Sequence, residues 1–167
     1  VKESATTLSR DVWETVSAFA NTAGGIIVLG VSERAGFVPV ENFETEKVLN
    51  QFVSGMGDAG GRGKLANPPK YTIERVELQG VIVLVITIEE LDPSSKPCYV
   101  IERGAQGGSY KRIDDKDVPL SSTEVLALAS YGRATPSDRD AVAGAGADNL
   151  DETLVDRTID RAFSLTP

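Results

Sequence analysis

The stretch Ala18-Phe19-Ala20-Asn21-Thr22-Ala23-Gly24-Gly25-Ile26-Ile27-Val28-Leu29-Gly30-Val31 holds the end of one element, a break and the start of another. Upstream of it, Val12, Val16, Phe19 and Ala20 recur at helical spacing, so residues 9–21 read as a helix. Ser9 is placed as its N-cap, and Asp11 suits the positive helix end. Gly24 and Gly25 end that helix, because two residues without Cβ adopt the turn geometry that others resist. The apolar run 26–31 shows no alternation, which predicts a strand buried on both faces.

Working outward, residues 37–40 predict a short strand that Pro39 pushes to an edge. Residues 44–56 carry Val48, Leu49, Phe52, Val53 and Met56 as one helical stripe. The glycine-rich stretch 57–64 reads as an exposed mobile loop. Residues 71–78 and 81–88 predict a hairpin turning at Gln79-Gly80, the second strand central. Residues 98–102 and 109–113 predict another hairpin, and Ser121 or Ser122, with Glu124 in the first turn, opens a helix. This order of elements argues for an α+β fold, a mixed, mostly antiparallel sheet with packed helices. The expected organisation is a domain over 1–133, a linker or surface-wrapping segment over 134–149, and a helix within 150–167 leading to a further region.

The chain has 167 residues and no histidine, which removes imidazole triads, His-containing zinc patterns and imidazole acid–base chemistry. Its one cysteine, Cys98, can form neither an internal disulfide nor a thiolate cage, so a cytoplasmic location is expected and no cofactor is predicted. The formal charge is −8. Residues 134–167 hold three bases and seven acids, 3 − 7 = −4, so half of the negative charge lies in the tail and local basic patches remain open elsewhere. No apolar run is long enough for a membrane span, and the polar start Val1-Lys2-Glu3-Ser4 does not read as a signal peptide.

Each candidate functional residue carries an alternative. Asn21, Gly24 and Gly25 sit where a helix ends, the reverse of a dinucleotide-binding turn, and read as a structural turn. Gly60-Gly61-Arg62-Gly63-Lys64 fails the Walker A spacing, leaving Arg62 and Lys64 as phosphate contacts on a basic finger or as a plain solvated loop. Tyr110-Lys111-Arg112 places an aromatic ring beside two bases, a kit for nucleic acid in which Tyr110 stacks; alternatively Arg112 is ion-paired by the nearby aspartates. Without histidine, a hydrolase would rely on carboxylates such as Glu3 and Glu33 with a metal.

The segment 18–31, with Lys96-Pro97-Cys98-Tyr99, Tyr110-Lys111-Arg112 and Ser121 to Glu124, resembles the Schlafen AlbA-type domain, usually described as DNA-binding. Such domains occur in bacterial transcriptional regulators and in RecG-like ATP-dependent helicase relatives. The resemblance implies a mixed α/β domain that associates with nucleic acid, DNA or RNA, within a larger protein. In eukaryotic Schlafens a related fold cleaves transfer RNA with carboxylates, two of them in an "E…EFK" motif, and Val1-Lys2 resembles only the end of that motif. The expectation is a nucleic-acid-binding module of a larger transcriptional regulator, non-catalytic in this stretch. The alternatives are a metal-dependent endoribonuclease using Glu3 or Glu33 and a protein-interaction or oligomerisation domain, a homodimer included.

Overall fold

The computed structural model describes residues 6–33 and 36–134, the last three by backbone alone. Helix α1 (Val12–Asn21) starts later than Ser9: Asp11 occupies the N-cap, and Ser9 accepts the Val12 N–H through its carbonyl at 3.2 Å. Every residue of α1 except Glu14 is buried, so this helix lies inside the domain. It ends where Gly24, at φ +70°, donates its N–H to the Phe19 carbonyl at 2.9 Å. A Cβ on Gly24 would meet the Ile88 carbonyl at 2.7 Å, so the turn needs glycine for conformation and for space.

Strands β1 (Gly25–Leu29), β2 (Val31–Ser32) and β3 (Val38–Pro39) follow, then α2 (Thr45–Met56), β4 (Leu65–Ala66), β5 (Tyr71–Leu78) and β6 (Val81–Ile88). The main sheet has the order β1-β6-β5, antiparallel throughout, with Ile88 opposite Gly25 on one side and Tyr71 on the other. The predicted hairpin and its central strand are both present. Ile27, Leu29, Leu84, Ile86 and Ile88 form a core with Val12, Val16 and Phe19 of α1 and Val48, Phe52 and Met56 of α2. Trp13 stacks on Phe52 at 5.6 Å, and Tyr71 meets Phe52 edge-on at 5.4 Å. The run 26–31 is not one strand buried on both faces. Gly30, at φ +88°, breaks it between β1 and β2, and Ile26 is 60% exposed, because this antiparallel sheet packs one face on the core and leaves the other to solvent, as the exposed Ile82 of central β6 also shows.

The remaining elements are β7 (Tyr99–Val100), α3 (Gly104–Gly108), β8 (Tyr110–Ile113), β9 (Lys116–Pro119) and α4 (Ser122–Ala134). The hairpin predicted between 98–102 and 109–113 does not form. β7 pairs with β4 and touches 109 only through the Tyr99–Ser109 bridge, while the intervening glycines fold as a helical turn. β8 instead turns back on β9, with Arg112 opposite Asp117. At the start of α4, Ser121 N–H donates to Glu124 Oε2 at 2.8 Å and Glu124 N–H to Ser121 Oγ at 3.3 Å, the expected capping box. All ladders among the described residues are antiparallel and packed with helices, so the fold is α+β as anticipated. Apart from Ala134, the predicted 134–149 linker and the helix within 150–167 lie outside the described residues.

Candidate nucleic-acid interface

The last turn of α1 ties the domain together. The buried Asn21 side chain donates from Nδ2 to the Cys98 and Tyr110 carbonyls, both at 2.9 Å, and accepts the Cys98 N–H at 2.8 Å. One turn earlier, Ser17 Oγ donates to the Cys98 carbonyl at 2.9 Å and accepts the Tyr110 N–H at 3.1 Å. Lys96, with a side chain only 7% exposed, donates to the Asn21 carbonyl at 3.0 Å and pairs with Glu90 at 2.6 Å. Buried polar groups must be paired, so these residues clamp α1 to β7 and β8, a larger structural role than a turn. Burial pushes the Cys98 thiol up to about 12, leaving it protonated at neutral pH.

A groove opens beside α1. The loop 57–64 leaves α2 through Gly57, at φ +98°, and is held near its two ends. Asp58 N–H reaches the Val53 carbonyl at 3.2 Å, Lys64 N–H reaches the Gly55 carbonyl at 2.6 Å, and the Tyr71 hydroxyl donates to Asp58 at 2.5 Å. Burial of Tyr71 and its bond to Asp58 push its hydroxyl up to about 12. A Cβ on Gly63 would lie 2.9 Å from the Gly55 carbonyl. The loop is exposed as expected, and it is tethered at these points near its two ends.

The tethering brings Arg62 and Lys64 beside Arg10, which precedes α1. With Leu8, Trp13, Lys47, Asn50, Gln51, Ser54 and Gly55 they line a recess of roughly 840 Å³. Arg10, Trp13, Arg62 and Lys64 also line an adjoining recess of roughly 500 Å³ that reaches Glu14 and Arg103, so the two form one groove. Lys47 is paired with Glu44 at 2.7 Å, and Arg103 with Glu14 at 2.7 Å. The Glu14 charge, then Tyr110, hold the Arg103 guanidinium more firmly protonated. Arg10, Arg62 and Lys64 make no ion pair among the described residues. Glu102 brings one carboxylate to the adjoining recess, so the three cations without an ion pair outnumber it and the groove as a whole favours an anion.

The 110–112 segment lies elsewhere. Tyr110 is 4% exposed, accepts a hydrogen bond from Arg103 through its hydroxyl, and has the guanidinium 5.9 Å from its ring centre. The ring expected to stack on a base is thus part of the core. Lys111 pairs with Glu124; Arg112 pairs with Asp117 at 2.7 Å and lies 5.4 Å from the Phe19 ring centre. Neither lines the groove, and the ion-paired alternative describes Arg112. Arg10, Lys47 and Arg103 escape sequence reasoning, because what unites them is tertiary convergence and no local pattern carries it. Glu33 is exposed in the turn after β2, and Glu3 lies outside the described residues. Among the described residues no three histidine, cysteine or acidic side chains gather as a metal-binding group, and no helix is long and apolar enough to cross a membrane.

Two solved structures share features of this chain. One is the solution structure of the N-terminal domain of a Nitrosomonas europaea protein described as related to the ATP-dependent DNA helicase RecG. It is 28% identical with a TM-score of 0.48, over 70% of this chain and 84% of that one. The other is the crystal structure of a Corynebacterium diphtheriae protein, 18% identical with a TM-score of 0.45, over 74% of this chain. This chain spans only 19% of the length of that protein. No curated protein matches the chain significantly. Residues 1–121 match the family described as Schlafen, AlbA_2, and the chain belongs to that family.

Proposed function

We propose that this domain is a nucleic-acid-binding module of a larger transcriptional regulator, holding the phosphate backbone on Arg62, Lys64 and Arg10. The observation that carries this reading is the convergence of three unpaired cations on one groove in a chain of net charge −8. In an acidic protein, a concavity whose cations outnumber its carboxylates, here with Glu102 as the one acid outside an ion pair, suits a polyanion. Membership of the Schlafen, AlbA_2 family supports the same assignment. In this arrangement Arg103 guards the far end of the groove, with Glu14 and the Tyr110 hydroxyl fixing its guanidinium. Tyr110, Lys111 and Arg112 contribute to the scaffold.

Fluorescence anisotropy with short labelled DNA and RNA tests the proposal. Affinity should fall with salt by about 0.7 to 0.9 log units per log unit of salt for each phosphate neutralised. Arg62→Glu combined with Lys64→Glu should abolish most binding at low salt while leaving the thermal transition in place. Absence of binding by the unaltered chain at low salt refutes it.

A further inference from the structure

Building on the nucleic-acid reading, we propose that the groove takes an unstacked base of a single strand, with the flanking phosphates on Arg10, Arg62 and Lys64. A duplex offers phosphates on its outside and keeps its bases stacked within, so it can use the cations at the rim but cannot enter a recess behind them. Here the cations border a recess of roughly 840 Å³. Leu8, Trp13 and Gly55 give that recess apolar surface, and Asn50 and Ser54 of α2 line it with groups that donate and accept hydrogen bonds. Asn50 is exposed, so its amide edge is open to an occupant of the recess. A base out of its stack needs both kinds of surface, apolar for its face and polar for its edge.

One wall of the recess is closely packed. Trp13, 9% exposed, is stacked on Phe52, and its indole occupies the space a side chain on Gly55 would need, with a Cβ there only 2.1 Å from the ring. Because Gly55 has no side chain, the indole lies directly against α2 where the groove passes. Preformed shape favours an occupant that fits over one that lies across the rim.

Trp13 is the sole tryptophan of the chain and lines both recesses, so the tryptophan emission comes from the wall of the groove. The 167-residue chain should be titrated with a thymidine decamer, the same decamer annealed to its complement, and thymidine monophosphate. The single strand should change Trp13 emission saturably and bind roughly tenfold tighter than the duplex. The duplex should bind at low salt without altering the emission. Asn50→Ala should weaken the single strand by roughly threefold or more and leave the duplex unaffected. Equal affinities for both forms with unchanged emission would overturn the inference while the phosphate-binding reading survives. Monophosphate binding as tight as the decamer's would also overturn it, in favour of a free nucleotide. Failure of every probe to bind would remove both readings.

Discussion

Asn21 commits its whole amide to backbone groups of two distant segments, two donors to carbonyls and one acceptor to an N–H. Asn21→Leu keeps the approximate volume but takes their partner from the Cys98 N–H and the Tyr110 carbonyl, both at buried residues. The expected cost is about 2 to 4 kcal/mol in urea unfolding. Thr22→Ala is the comparison: its hydroxyl accepts the Arg112 N–H at an exposed position, and its loss should cost less than about 1 kcal/mol. Equal costs would show that Asn21 only shapes the turn. Cys98 supplies a second test, since a buried thiol held at about 12 is neither accessible nor ionised at pH 8. Iodoacetamide should leave it untouched in the native chain and label it in urea; fast native labelling would contradict the packing. The sequence marks Asn21 as a turn residue and no more, because its partners lie 77 and 89 residues further along.

At the scale of elements, α4 is attached through a carboxylate. The Lys111 ammonium, the Ser121 N–H and the Ser121 hydroxyl hold Glu124 down at about 2, against an ordinary 4.5. A depressed carboxylate adds stability above its unfolded value and loses it as pH falls through the folded value. The attachment of α4 should therefore be intact above pH 4.5 and loosen progressively toward pH 2. Amide exchange across α4 measures this, and Glu124→Gln should flatten that acid dependence; an unchanged profile would refute the assignment. Such local devices are legible in sequence, as are β5 and β6, whose eight-residue runs flank Gln79 and Gly80, both at positive φ. β4 and β9 are not. Two residues cannot establish a period, and Lys116-Asp117-Val118-Pro119 has the composition of a loop until β8 supplies its hydrogen-bonding partner.

Over the whole molecule, the charge sum and the charge placement point in opposite directions. The candidate cations were only partly legible for the same reason: Arg62 and Lys64 share a glycine loop, whereas Arg10 lies far away in sequence, and only the packing of α1 against α2 brings it to them. Lys111 and Arg112 look equally basic along the chain, yet the fold neutralises them with Glu124 and Asp117. A discriminating prediction follows from that contrast. Arg10→Ala should weaken oligonucleotide binding and reduce the slope of log affinity against log salt by about 0.7 to 0.9, the value for one phosphate contact. Lys111→Ala removes the same formal charge from a paired position, so affinity and slope should hold, and the loss should appear in the stability of α4. Net charge changes identically in the two variants. If both weakened binding alike, general electrostatic attraction would account for the affinity; if only Arg10→Ala did, the groove would be where the phosphates sit.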